Sequence, residues 1–126
     1  MKRLLYLSLL ILLFTGCNDD DVTLDSGARL RIQNVSNFNF DNIVVAPGGP
    51  EYDYGSLDRR ETSGYVEFDG IYRYGYVRIT IDGIETVLQP IDYVGETLYK
   101  RGKYTYLIDV EDPSQPFGVS LEFRED

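Results

Sequence analysis

The 126-residue chain has no histidine and no tryptophan, and only one cysteine and one methionine. Without histidine there is no Ser-His-Asp or Cys-His nucleophile and no imidazole zinc site. No remaining side chain has an ordinary pKa that suits acid–base work at neutral pH. A single cysteine forbids an intramolecular disulfide, so apolar burial and backbone pairing must hold the fold. Long apolar runs are missing too. The best, Leu4 to Phe14, is interrupted by Tyr6 and Ser8 and falls short of the roughly 20 residues a spanning helix needs. Positive charge is scarce: 12 Lys and Arg stand against 21 Asp and Glu, a net charge of −9. Such a chain repels phosphate backbones, which argues against nucleic acid as a partner. Carboxylates are abundant enough for a two-carboxylate glycosidase, yet no pair is singled out by spacing. The expectation is a non-catalytic protein with no cofactor and no metal centre.

What is present begins with Lys2 and Arg3, the short apolar segment and then Thr15-Gly16-Cys17. A positive start, a short apolar core and a small residue before a cleavage point make a secretory signal. Leu12-Leu13-Phe14-Thr15-Gly16-Cys17 resembles the lipobox of bacterial lipoproteins, with Phe14 where leucine is commoner. The resemblance implies that Cys17 is lipidated and becomes the first mature residue. Losing Lys2 and Arg3 with the signal would take the charge two units further, from −9 to −11. Asn18, Asp19, Asp20 and Asp21 follow at once. They resemble the acidic export tract of surface-exposed Bacteroidetes lipoproteins. As a plain charge run they would be a solvated tether. The resemblance implies a lipid-anchored protein at the outer membrane, facing the cell surface, with the periplasmic face as the alternative.

Residues 1–16 are thus expected to be signal, 17–27 lipidated cysteine and tether, and 28–126 one domain. That domain shows the period of strands. Ala28, Leu30 and Ile32 share one face and Arg29, Arg31 and Gln33 the other. Asn34-Val35-Ser36-Asn37 reads as a turn, and Asp41-Asn42 as a bulge between two apolar stretches. Pro47-Gly48-Gly49-Pro50 breaks the chain. Tyr52, Tyr54 and Leu57 suggest a strand, as do residues 65–68. The clearest local signal is Asp82-Gly83 between two alternating runs, a type I′ hairpin. A two-residue loop sets Ile81 opposite Ile84, Ile79 opposite Thr86 and Val77 opposite Leu88, all on the core side. Tyr104, Tyr106, Ile108 and Val110 make another strand, and Val119, Leu121 and Phe123 the last. Leu98, six residues before Tyr104, resembles the tyrosine corner of immunoglobulin-like sandwiches, whose hydroxyl bonds back to upstream backbone. The expectation is an all-β, antiparallel sandwich of seven or eight strands, immunoglobulin-like or transthyretin-like.

The one compositional excess is tyrosine, with 11 in the chain. Tyr72, Tyr74 and Tyr76 recur at the strand period, with Arg78 continuing their side, outside the hairpin's core face. An outward row of this kind would form a flat platform for a glycan or a protein, because tyrosine offers contact area at low entropic cost. Gly75 inside the row is a point where a bulge would reverse the faces. Acidic Glu51-Tyr52-Asp53 and residues 109–112 lack the ligand spacing of a calcium loop. Stretches such as Ile32-Gln33-Asn34-Val35-Ser36 and Leu88-Gln89-Pro90-Ile91-Asp92-Tyr93 resemble small Bacteroidetes lipoproteins, a likeness that brings no activity or catalytic residues. The functional expectation is a binding or accessory module at the cell surface, with a structural subunit of an envelope complex as the alternative.

Overall fold

A computed structural model describes residues 27–115 and 118–126. Cys17 and the acidic tract Asn18 to Asp21 lie outside them. Eight strands form: β1 (Gly27–Asn34), β2 (Phe40–Ala46), β3 (Tyr52–Leu57), β4 (Val66–Phe68), β5 (Tyr76–Ile81), β6 (Ile84–Leu88), β7 (Arg101–Val110) and β8 (Val119–Glu125). They make two four-stranded sheets, ordered β4-β1-β7-β8 and β3-β2-β5-β6. The result is the all-β sandwich expected. In the immunoglobulin arrangement the first strand lies beside the second. Here β1 lies between β4 and β7, so the order is not the immunoglobulin one.

One pairing departs from the antiparallel expectation. β1 and β7 run parallel, from Gly27 opposite Arg101 to Asn34 opposite Ile108. Parallel neighbours need a long connection, and the five strands between them in sequence supply it. Alternation within each strand reports which face is buried; it carries no information on the direction of a partner so far away in the chain.

The core follows from the alternation. Ala28, Leu30 and Ile32 of β1, Val77, Ile79 and Ile81 of β5, and Tyr106, Ile108 and Val110 of β7 are buried between the sheets. Asp82 and Gly83 both have positive φ, 51° and 79°, as a type I′ turn requires. The hairpin register is the one expected, with Ile81–Ile84, Ile79–Thr86 and Val77–Leu88 opposed. One of the six side chains is a correction. Ile84 is 49% exposed, because it begins an edge strand where the opposing sheet gives no cover. The bulge at Asp41-Asn42 is present as a register shift of β2 against β3. The Tyr104 hydroxyl donates to the Arg101 carbonyl, the corner bond expected from Leu98 and Tyr104.

A buried polar hub closes the hairpin end. Asn34 Nδ2 donates to the carbonyls of Phe38 (2.8 Å) and Leu57 (3.1 Å), while its Oδ1 accepts from Ser36 N and Oγ. Asn34 is fully buried, so the Asn-Val-Ser sequence serves the fold and offers no accessible glycosylation acceptor. Every described buried side-chain polar atom has a partner, as a well-determined core requires.

Candidate functional site

The two long edges of the sandwich differ. Along one, β6 and β8 approach and Thr86 closes the gap: its Oγ1 donates to the Gln115 carbonyl (3.0 Å) and accepts from Gly118 N (3.3 Å). Along the other, β3 and β4 are the outer strands of their sheets and do not pair. There the sheets part around a groove of about 250 Å³, lined by Pro50, Glu51 and Tyr52 on one wall and residues 66–69 on the other.

Aromatic rings build this groove. Tyr52 and Phe68 meet edge to face across the sheets at 6.4 Å, and Tyr52 packs edge-on against Tyr54 at 4.9 Å. Beneath them the Tyr54 hydroxyl reaches the opposite sheet and donates to the Leu30 carbonyl at 2.9 Å. Burial pushes that hydroxyl well above the usual phenol range, so it stays a protonated donor. Tyr52 itself is 43% exposed. Its ring stands beside the exposed carboxylates of Glu51, Glu67 and Asp69. A groove below the roughly 300 Å³ of ordinary small-molecule pockets suits a single ring-sized moiety against an aromatic wall. The carboxylates can accept hydrogen bonds from hydroxyl groups.

The tyrosine row read from the sequence is not one platform. β5 starts only at Tyr76, and Tyr72 and Tyr74 precede it in a loop. The partner strand β2 ends at Ala46, opposite Tyr76, and Gly75 passes so close to it that a Cβ would fall 2.6 Å from the Ala46 carbonyl oxygen. Tyr72 is held instead by its amide, which donates to the Pro47 carbonyl (2.8 Å), and by its carbonyl, which accepts from the Tyr106 hydroxyl (2.6 Å). Burial also raises the Tyr106 hydroxyl far above its ordinary pKa.

The Tyr72 ring stacks flat on Tyr93 at 4.2 Å and an interplanar angle of 6°. Tyr74 leans on Tyr93 at 5.5 Å and donates to the Asp92 carbonyl. Tyr76 and Arg78 belong to the outer side of the second sheet. The Arg78 guanidinium donates to the Tyr76 hydroxyl (3.2 Å) and pairs with Glu51 (3.7 Å) and Glu85 (4.0 Å). All four predicted platform residues are half-buried. Two serve a loop stack, and two a charge network that reaches the groove through Glu51.

The acidic clusters have internal employment. Asp53 accepts from Asn42 Nδ2 and from Gly55 N. Asp112 accepts from Ser114 N and Oγ, and those bonds lower its pKa. Among the described residues no group of three or more His, Cys, Asp or Glu side chains comes together as a metal site, and no helix is long and apolar enough to cross a membrane.

Sequence reasoning missed two residues. Tyr93 sits in the stretch Leu88 to Tyr93, which carried only a resemblance, and its signal was an aromatic placed between the apolar Ile91 and Val94. Tyr52 was read as a strand residue within an acidic cluster. The pairing with Phe68, from a different sheet, leaves no mark on local sequence.

No protein-family model and no curated protein matches the chain. An NMR structure of a protein from Eubacterium rectale is similar in fold, with a TM-score of 0.53 at 16% identity, covering 79% of this chain and 88% of that one.

Proposed function

We propose that the protein is a non-catalytic, lipid-anchored module of the bacterial cell surface that binds a glycan in the groove between β3 and β4. The observation that carries this reading is Tyr52, a ring left substantially exposed in a groove lined also by Glu51, Glu67 and Asp69. An exposed aromatic wall packs against the C–H face of a sugar while neighbouring acceptors take its hydroxyls. The Arg78–Glu51 pair fixes one of those acceptors from behind.

Anchoring rests on Cys17 and its lipobox-like context, and the surface address on Asn18 to Asp21. Stable anchoring needs more than one acyl chain, which lipoprotein processing supplies. Replacement of Cys17 with alanine is expected to abolish incorporation of a labelled fatty acid and to release the protein from membranes. Unchanged labelling and membrane fractionation of the Cys17→Ala protein would sink the anchor. The structural-subunit reading finds support in the bare apolar side chains of Ile91 and Val94.

A further inference from the structure

Three elements of the fold converge on one end of the sandwich. Gly27, where β1 begins, pairs with Arg101 at the start of β7, and its neighbour Ala28 pairs with Phe68 at the end of β4. Ile71 bridges to Tyr99, and Tyr72 bonds to Pro47 just past β2. The chain therefore enters the domain at the same end that carries loops 46–51, 69–75 and 89–100. The Asp82-Gly83 hairpin and the Asn34 hub occupy the opposite end.

The tether end carries the most exposed apolar side chains described: Ile91 at 96% and Val94 at 87%. They are not on a slack loop. Tyr93 between them is clamped by the flat stack with Tyr72 and the contact with Tyr74, and the Tyr74 hydroxyl holds the Asp92 carbonyl. Asp92 Oδ1 in turn accepts from Val94 N (3.2 Å). Two bare aliphatic side chains are thus held out on a tyrosine base. Aliphatic tips with tyrosines behind them match the depth profile of a membrane interface, apolar first and then amphipathic rings.

We infer that residues 91–94 dip into the lipid surface to which the chain is tethered. This rests on the proposed lipidation of Cys17. The argument for lipid as the occupant is the chain itself. Residues 17–26 span at most roughly 35 Å when fully extended, and Gly27, which follows them, lies at the end where the loop projects. Tethering at that range raises the local lipid concentration, so a two-residue contact suffices without independent affinity. Exposed charge at this end is close to balance, with Glu51, Asp69, Asp92 and Glu96 against Arg73, Lys100 and Arg101. The contact is therefore insensitive to salt.

The absence of tryptophan from the chain makes single tryptophans clean reporters. Full-length lipidated Ile91→Trp, Val94→Trp and, from the opposite end, Ile84→Trp proteins are placed in vesicles containing lipids brominated on the acyl chain. Emission at positions 91 and 94 is expected to be quenched at least about threefold more than at 84, in low and high salt alike. Equal, weak quenching at all three positions in protein that floats with the vesicles would overturn the inference and leave the anchor standing. Emission shielded from an aqueous quencher yet unreached by brominated lipid would also overturn it, because a protein contact then covers the loop. Failure of the protein to float with the vesicles overturns the anchor, and the inference with it.

Discussion

The closed edge of the sandwich and the open one are made from the same kinds of strands but finished differently. At β6 and β8 a buried threonine satisfies two backbone groups of the segment that follows β7. At β3 and β4 the sheets are spanned by rings, and the Tyr54 hydroxyl and, nearer the hairpin end, Asn34 Nδ2 tie one sheet to the other. A small polar side chain finishes an edge by satisfying hydrogen bonds. Large amphipathic rings finish it by leaving a surface that remains partly wet, and so able to bind.

The comparison can be broken from the core outward. Ile79, on the inner strand β5, is fully buried. Truncation to alanine is expected to cost roughly 2–5 kcal/mol in denaturant melts, by lost transfer and a residual cavity. An effect near zero would mean that the β5–β6 register is wrong. Next is Thr86→Val, which keeps the shape but strips both hydrogen bonds from the closed edge. A loss of about 1–3 kcal/mol is expected, with faster hydrogen exchange at Gly118 and none of the change reaching β3.

A smaller effect sharpens the open side. The Asp126 carboxylate accepts from Tyr65 (2.7 Å), just before β4, and from Thr105 of β7 (2.6 Å), with Arg124 and Arg31 close by. Burial pushes its pKa up, but those hydrogen bonds and the two guanidinium groups outweigh burial and hold it below the usual 3.8. A carboxylate with a depressed folded-state pKa stabilises fully above its unfolded value and loses that contribution as pH falls through the folded one. Exchange at β4 amides is therefore expected to quicken below about pH 3.8 before the closed edge responds. Simultaneous loosening of both edges would assign the acid response to the whole domain.

The strands were legible because each carries its own period. Ala28-Leu30-Ile32 and the Asp82-Gly83 hairpin state their burial and register within a dozen residues. The parallel β1–β7 pair was not legible, since its partners lie about seventy residues apart and no local pattern encodes direction. The site failed for a related reason. The spacing of Tyr72, Tyr74 and Tyr76 is true strand spacing, but the partner strand β2 ends at Ala46, opposite Tyr76. The groove joins Tyr52 and Phe68 from different sheets, and only the folded topology brings them together. Cys17 and the tract Asn18 to Asp21 remain readings of the sequence.

The most direct test of the open edge as a binding site is a glycan array probed with the full-length protein and its Tyr52→Ala variant, with Ile84→Ala at the closed edge as the control. Both substitutions remove side chains that are more than 40% exposed, so both proteins should fold as the parent does. The predicted result is that parent and Ile84→Ala bind the same glycans while Tyr52→Ala loses at least about tenfold, the equivalent of roughly 1.4 kcal/mol. Undiminished binding by Tyr52→Ala, or no glycan bound by the parent, would contradict the groove as the site.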